Sequence, residues 1–210
     1  MRILVSAAAA LVCAGCMVSN AKTSMITTDK VGTRPGMAGE GTPLKAAPGH
    51  ELAMFGMGCF WGSEHTFREV PGVTATAVGY TGGKTQHPTY REVCSHTTGH
   101  NEVVLVEFDT AKTSYEKLLK VFWDNHNPTT LNRQGPDYGD QYRSGVYTFS
   151  DEQKAIAEKT KKAQAANFTQ PIVTEIIDVP TFWIAEGYHQ QYHDKTGSSV
   201  CPIDFGNRKG

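Results

Sequence analysis

The thiol of one cysteine, Cys59, lies in a position where it could act as a nucleophile. Cys59 belongs to the segment GMGCFWG, residues 56–62, between a short apolar stretch and a segment with helical spacing. A thiol in the first turn of a helix faces unpaired backbone N–H groups and the positive end of the helix dipole, and both favour the thiolate. The alternative is a small buried core residue, as many lone cysteines are. The position alone leaves both interpretations open.

Histidines are the second group that could do chemistry, as metal ligands. His189 and His193 are four residues apart and would share one face of a helix, while His96 and His100 lie earlier in the chain. The glutamate that acts as the base in the HExxH motif of zinc proteases is replaced by Gln190. The cysteines after residue 16 lack the spacing of a zinc site. The sequence therefore predicts no metal.

The N-terminal segment MRILVSAAAALVCAGC, residues 1–16, indicates an export signal. One early arginine precedes an apolar run that is shorter than the ~20 residues of a membrane-spanning helix. The final Ala-Gly-Cys resembles the lipidation box of bacterial lipoproteins and predicts an acylated Cys16, with ordinary signal cleavage as the alternative. We therefore expect the protein in the cell envelope or periplasm, attached to a membrane only through this lipid.

The remaining chain divides by composition at residue 51. Residues 17–50 carry Ser, Thr, Gly, Pro, Ala and Lys without hydrophobic period, which predicts a flexible tether because such a segment buries too little apolar surface to offset its ordering entropy. Residues 51–210 are long enough for one folded domain. The 20 Lys and Arg residues balance 21 Asp and Glu residues, so charge gives no reason to expect a nucleic-acid partner.

The elements that must position Cys59 alternate from residue 51 onward. Short apolar or β-branched windows predict strands at 52–57, 73–80, 101–109, 146–149 and 173–179. Helical spacing predicts helices at 59–70, 114–125, 150–167 and 182–193. We expect an α+β fold, a ferredoxin-like two-layer α/β sandwich in which helices pack on a mixed β-sheet. Residues 126–140 and 194–210 are expected to form long ordered loops.

Several ordered blocks of the sequence match one known family. The segment GCFWG, residues 58–62, resembles the signature of the A-type peptide methionine sulfoxide reductases. The similarity covers about residues 51–201, and its further blocks are GYTGG (79–83), PTYREVC (88–94), TGHNEV (98–103), FD (108–109), GPDYGDQYRS (135–144) and YHQQY (188–192). The resemblance implies that residues 51–210 are a catalytic domain that reduces methionine S-sulfoxide in peptides and proteins, and free as well.

This resemblance assigns roles to the candidate residues. Cys59 corresponds to the catalytic cysteine and Glu102 to the acid that protonates or hydrogen-bonds the sulfoxide oxygen. Tyr90 and Tyr142 correspond to the hydroxyls that hold this oxygen, and Asp137 to a supporting carboxylate. A sulfoxide oxygen is a strong acceptor that leaves more readily once protonated, so an acid and neutral donors beside the nucleophile suit the reaction.

The resemblance also implies a substrate pocket and a resolving thiol. Phe60 and Trp61 correspond to the apolar pocket for the substrate methyl group. Cys201, in the Gly- and Ser-rich tail, corresponds to the cysteine that condenses with the sulfenic acid formed on Cys59. Cys94 lies in a short turn that looks packed in the domain, and we expect it to be a bystander.

No cofactor is implied beyond an external reductant. The domain contains no C-x-x-C pair, so we expect a thioredoxin-like dithiol partner, placed in the envelope by the export signal. The expected substrates are oxidised proteins and peptides, repaired by a monomer. Two alternatives remain: a non-catalytic envelope lipoprotein with a structural disulfide, and a cysteine hydrolase that pairs Cys59 with a histidine.

Overall fold

The computed structural model describes residues 32, 34–37, 44–198 and 208–209. Cys16, Cys201 and the predicted export signal lie outside the described residues. Among the residues that are described, no helix has the length and apolar character needed to cross a membrane.

A mixed six-stranded sheet forms the centre of the domain. Its strands run in the order β7-β6-β1-β3-β2-β8, and a separate two-stranded hairpin is formed by β4 and β5. Neighbouring strands of the large sheet are antiparallel except β6 and β7, which are parallel. The strands are β1 (His50–Met57), β2 (Val73–Thr81), β3 (Asn101–Asp109), β4 (Arg133–Gln134), β5 (Asp137–Tyr138), β6 (Ser144–Thr148), β7 (Glu175–Asp178) and β8 (Trp183–Ile184).

In the described part of the chain, five α-helices accompany the sheet. They are α1 (Phe60–Arg68), α2 (Tyr90–Val93), α3 (Tyr115–Asp124), α4 (Asp151–Gln164) and α5 (Tyr192–Thr196), with short 3-10 turns at Pro35–Met37, Asp140–Tyr142 and Ala165–Asn167. The unit β1-α1-β2-β3-α3-β6 has the strand order β6-β1-β3-β2. This is the ferredoxin-like arrangement, so the predicted α+β two-layer fold is confirmed.

Alternation along β1 builds the core on both faces of the sheet. Ala53, Phe55 and Met57 face the layer that contains α1, α3 and α4, where Phe55 stacks on Phe67 of α1 with ring centroids 4.8 Å apart. Leu52 and Met54 face the opposite side, which loop residues cover. Because side chains alternate at every residue of a strand, burying both sets holds the end of β1, and the cysteine after it, in one position.

The predicted helix at 182–193 is wrong. Instead, β8 adds to the edge of β2, a series of turns follows, and α5 begins only at Tyr192. Gln190 explains the difference, because its buried side-chain amide donates to the carbonyls of Val78 and Ala185 and its oxygen accepts from the N–H of Val78. Gln191 adopts a left-handed conformation with φ of 50° that interrupts a helix.

Part of the segment predicted as a tether lies on the domain. The Glu107 carboxylate accepts hydrogen bonds from the backbone N–H groups of Gly36 and Ala47. Gly32 forms an isolated bridge with Ala75 of β2, and Leu44 packs on the loop-covered face of the sheet. The boundary predicted at residue 51 therefore moves toward the N-terminus, because hydrogen bonds to a buried carboxylate hold a segment that has no hydrophobic period of its own.

Candidate active site

The nucleophile candidate lies at the turn between β1 and α1. Cys59 is the N-cap residue of α1, with φ of −53° and ψ of 122°, and is half-buried. Gly58, directly before it, has φ of +92°, and a Cβ added there would lie 2.6 Å from Cγ of Gln134. Only glycine tolerates both this conformation and this close approach. The turn thus fixes where the thiol points.

Two opposing effects act on the pKa of Cys59. The backbone N–H groups of Trp61 and Gly62 hydrogen-bond to its sulfur and lower the pKa, as expected at a helix start. Burial of the thiol, and after it the negative charge of Glu102, outweigh them and raise the pKa to about 12. The same burial that forms the pocket removes water from the sulfur and opposes the thiolate that the helix start favours. In the free protein Cys59 is a neutral thiol.

Glu102 supplies an acid beside this thiol. It lies on β3, is 1% exposed, and its Oε2 accepts a hydrogen bond of 3.1 Å from the backbone N–H of Phe60. Its Oε1 is buried and has no hydrogen-bond partner in the part of the chain that is described. Burial raises the pKa of Glu102 to about 8, although the Phe60 N–H lowers it and the charge of Asp137 raises it further. The carboxyl is therefore protonated at neutral pH.

Tyr142 and Asp137 face the same thiol from the segment after α3. Asp137 lies in β5, and Tyr142 ends the 3-10 turn Asp140–Tyr142. Burial raises the pKa of Tyr142, and the negative charges of Glu102, Asp137 and Cys59 raise it further. Burial likewise raises the pKa of Asp137. Tyr142 thus stays a neutral donor among groups that can carry negative charge.

Hydrogen bonds from neighbouring elements hold this segment. Nδ1 of His96 lies 2.8 Å from Oε1 of Gln141, and the side-chain amide of Asn101 donates to the carbonyl of Arg143. The guanidinium of Arg143 in turn donates to the carbonyl of Asp140. The predicted long ordered loop at 126–140 is confirmed, and the β4–β5 hairpin inside it was not predicted, because strands of two residues leave no periodic signal.

Tyr90 reaches the site from α2. Its backbone N–H donates to the carboxylate of Glu186 at 2.9 Å, and its side chain is hydrogen-bonded to Cys94. Burial raises the pKa of Tyr90, and this hydrogen bond and the charge of Glu102 add to the effect. Cys94 is half-buried, and burial raises its pKa as well. Cys94 thus lies next to Tyr90 of the candidate site, which its position in the sequence did not indicate.

The two aromatics after Cys59 differ in their surroundings. Phe60 is 1% exposed and packs in a cluster with Val78, Tyr80, Val93 and Ala185. Trp61 is half-buried, and its indole stacks on Tyr192 with ring centroids 3.8 Å apart and planes 9° apart. Both predicted pocket residues are therefore beside the thiol, and Trp61 has the more accessible ring.

Two residues of the site were missed by the sequence interpretation. His189 accepts a hydrogen bond of 2.9 Å from the indole N–H of Trp61, and Glu186 accepts from the hydroxyl of Tyr80 and the N–H of Tyr90. The block YHQQY contained His189, but the expectation of a helix there obscured its contacts. Trp61 and His189 are 128 residues apart, and no signal in the sequence pairs them.

The four histidines considered as metal ligands have partners within the protein. His96 binds Gln141, His100 binds Gly83 and Thr85, His189 binds Trp61, and His193 binds Ser198. Within the described ranges, no group of three or more His, Cys, Asp and Glu side chains could hold a metal ion. No histidine there is hydrogen-bonded to the sulfur of Cys59, so the geometry does not support the hydrolase pairing.

A neutral thiol beside a protonated carboxyl and two phenols defines a class of protein, a cysteine-dependent oxidoreductase acting on a substrate with an acceptor oxygen. The family model for peptide methionine sulfoxide reductases matches residues 51–209. The chain therefore belongs to the peptide methionine sulfoxide reductase family, and its curated relatives are of the A type. This confirms the resemblance found in the sequence blocks.

Relatives and solved structures agree with this assignment. The peptide methionine sulfoxide reductase MsrA 1 of Synechocystis sp. is 54% identical over 170 residues, which cover 78% of this chain and 76% of the relative. The solved structure of methionine sulfoxide reductase A of Corynebacterium diphtheriae has a TM-score of 0.68 and 39% identity, covering 81% of this chain and 85% of the other. Mxr1 of Saccharomyces cerevisiae in complex with Trx2 shares the fold, with a TM-score of 0.52 and 22% identity over 78% of this chain and 94% of the other.

Proposed function

We propose that Cys59 reduces the S epimer of methionine sulfoxide with Glu102 as the acid. The observation that carries the proposal is the buried Glu102 carboxyl, which is bound through one oxygen to the N–H of Phe60 and whose second oxygen has no hydrogen-bond partner among the described residues. An acid that is protonated at neutral pH and has a free proton-bearing oxygen can donate to a sulfoxide oxygen. Tyr90 and Tyr142 supply neutral hydroxyls for the same oxygen.

The chemical step transfers one oxygen from substrate sulfur to Cys59. The sulfur of Cys59 attacks the sulfoxide sulfur while Glu102 gives its proton to the oxygen and later recovers one from the thiol. A sulfur–sulfur bond forms, the sulfur–oxygen bond of the substrate breaks, and the oxygen leaves as water after Glu102 protonates it a second time. This water attacks the Cys59 sulfur and returns a proton to Glu102, the sulfur–sulfur bond breaks with methionine as the leaving group, and Cys59 becomes a sulfenic acid. The sulfoxide gains two electrons and the thiol loses two. The thiol gives up its proton only during the reaction, so Cys59 can act as the nucleophile although it is neutral in the free protein.

Phe60 and Trp61 form the apolar side of the substrate site in this proposal. Trp61 stacks on Tyr192 and therefore presents one fixed face of its indole beside the thiol. Asp137 helps to keep the hydroxyl of Tyr142 protonated, because its negative charge raises the pKa of Tyr142 as well as that of Cys59. All of these residues come from one chain, which supports the proposal that the protein works as a monomer.

We further propose that Cys201 resolves the sulfenic acid. Its thiol condenses with the Cys59 sulfenic acid, water leaves, and an external dithiol reduces the resulting disulfide. Seven residues before Cys201, Asp194 forms an ion pair of 2.7 Å with Arg68, the last residue of the helix that begins after Cys59. The complex of yeast Mxr1 with Trx2 supports a thioredoxin-like reductant. The reaction then needs no bound cofactor.

We also propose that the protein works in the cell envelope or periplasm. The apolar segment 1–16 with its final Ala-Gly-Cys supports export and acylation of Cys16, and the polar residues that follow suit a tether. An exported reductase meets oxidised envelope proteins and is separated from cytosolic thioredoxin. Its substrates are then oxidised proteins and peptides of that compartment.

The direct test uses purified protein and two matched peptides that carry either the S or the R sulfoxide. With dithiothreitol as reductant, we expect turnover of the S peptide and none of the R peptide, measured by liquid chromatography. An ester and an amide substrate are included to detect hydrolysis. If neither sulfoxide peptide is turned over, the non-catalytic lipoprotein remains as the interpretation, and cleavage of the ester or amide would favour the hydrolase.

A further inference from the structure

The imidazole of His189 lies at the centre of the aromatic cluster around the site. It is 0% exposed, and its ring centroid is 4.9 Å from Phe60, 4.5 Å from Tyr90 and 4.0 Å from Tyr188. The mechanism proposed above does not use this side chain. A fully buried polar ring among aromatics is costly unless its nitrogens serve a purpose.

One nitrogen of His189 has a defined partner, which fixes where the ring carries its proton. The indole N–H of Trp61 donates to Nδ1 at 2.9 Å, and an indole can only donate. Nδ1 must therefore be an unprotonated acceptor, and the proton of the neutral ring is on Nε2, which is 3.8 Å from the carboxylate of Glu186. Burial lowers the pKa of His189 and so favours this neutral form.

Trp61 is held on two sides as a result. Its ring face stacks on Tyr192, and its N–H is directed at His189, so both the plane and the in-plane rotation of the indole are fixed. With the stacking contact alone the indole could still rotate within its plane, and with the hydrogen bond alone its plane could still tilt. Trp61 follows Cys59 by two residues and is only half-buried, so this orientation shapes the accessible wall beside the thiol.

We propose that His189 is a positioning residue for substrate binding: its unprotonated Nδ1 fixes the indole of Trp61 in the orientation that contacts the methylthio end of the sulfoxide. The inference rests on the proposed function, since it assigns a role to one further residue of the same site. His189 acts through Trp61 and takes no part in the proton or oxygen transfer. Its loss should therefore weaken binding of the substrate and leave the chemical step nearly unchanged.

Two substitutions at His189 separate this role from simple packing. In His189→Asn the side-chain oxygen takes approximately the place of Nδ1 and can accept the indole N–H, whereas His189→Leu fills similar space without an acceptor. We measure methionine release in single turnovers against the concentration of an S-sulfoxide peptide. For His189→Leu we expect the half-saturating concentration to rise about tenfold with little change in the maximal rate. His189→Asn should restore most of the binding.

A spectroscopic signature reports the hydrogen bond itself. The indole N–H of Trp61 should shift in the proton–nitrogen NMR spectrum of His189→Leu and stay near its wild-type position in His189→Asn. The indole of Trp123, which donates to Thr160, serves as internal reference and should not move. In a Trp61→Phe background, which has no indole N–H, the Asn and Leu variants should bind substrate equally.

A control variant separates positioning from general loss of stability. His126 is also fully buried, and its nitrogens are bound to the carbonyl of Phe122 and the hydroxyl of Ser144. His126→Leu should lower the midpoint of thermal unfolding without shifting the Trp61 indole signal. The proposal is overturned when His189→Leu binds substrate like the wild type, or when His189→Asn and His189→Leu are equally impaired with Trp61 intact. Failure of the proposed function appears differently, because the wild type itself would then release no methionine.

Discussion

Replacing Glu102 with glutamine removes the dissociable proton and keeps the shape of the side chain. The amide oxygen of Glu102→Gln can still accept the N–H of Phe60, the one hydrogen bond of Oε2 in the native protein. The amide cannot donate a proton to the sulfoxide oxygen. We therefore expect the rate of methionine release to fall ~10²- to 10⁴-fold, the usual range for loss of a general acid.

The same substitution should raise stability with a defined dependence on pH. Burial raises the pKa of Glu102 from 4.5 to about 8, so the folded state holds a proton that the unfolded state releases above about pH 4.5. Stability of the wild type is therefore lost as the pH rises from about 4.5 to about 8. At pH 7 the loss is on the order of 3 kcal/mol, since each pH unit above 4.5 is worth ~1.4 kcal/mol. Glutamine has no such loss.

Urea unfolding of both proteins between pH 5 and pH 8 measures this difference. The advantage of Glu102→Gln should grow as the pH rises and level off near pH 8, while groups common to both proteins cancel. In parallel, methionine release by the wild type should decline above about pH 8, where the acid is ionised. A constant difference in stability across this range, or wild-type release by the variant, would refute the assignment of a raised pKa and an acid role.

Three further predictions concern the turn, the tail and the N-terminus. Gly58→Ala should lower the free energy of unfolding by ~1–3 kcal/mol and slow methionine release, while Gly135→Ala, where φ is +56° and no atom lies within 4 Å of the added Cβ, should leave release unchanged. Cys201→Ser should release one equivalent of methionine and then stall with thioredoxin, whereas Cys94→Ser should turn over normally; the reverse pattern would exchange their roles. Intact-mass analysis of the exported protein should show an acylated Cys16, and a free N-terminus at another residue would indicate plain signal cleavage.

The sequence predicted best where packing alone decides the structure. The strand Asn101–Asp109 was predicted with its observed bounds, because the apolar run 103–106 at its centre is buried on both faces of the sheet. The helix predicted to start at residue 150 begins at Asp151, and the Ser150 hydroxyl caps it by accepting the N–H of Gln153. These features depend on residues close together in the chain.

Sequence reasoning failed where long-range hydrogen bonds override local preference. The segment 182–193 has helical spacing, yet Gln190 binds the backbone of Val78 and Gln191 binds Glu64, more than a hundred residues away along the chain. The burial of the site was also not visible in the sequence. A helix start favours a thiolate on Cys59, but only the folded structure shows the burial and the neighbouring carboxyl that outweigh it.

The candidate site itself was predicted through its resemblance to a family rather than through single residues. Glu102 on a strand would have been expected at the surface, and its burial beside Cys59 could not be read from periodicity. His189 illustrates the remaining gap, since its hydrogen bond to Trp61 joins two segments that are 128 residues apart. A single sequence carries no signal that pairs such positions.

The central claim is that the sulfur of Cys59 takes the oxygen of the sulfoxide. The most direct test measures methionine released per protein in a single turnover without reductant, together with dimedone labelling in a Cys201→Ser background. We expect about one equivalent of methionine and a dimedone adduct that maps to Cys59, both of which vanish in Cys59→Ser. Methionine release by pure Cys59→Ser above about 1% of the wild-type rate, or an adduct on another cysteine, would contradict the claim.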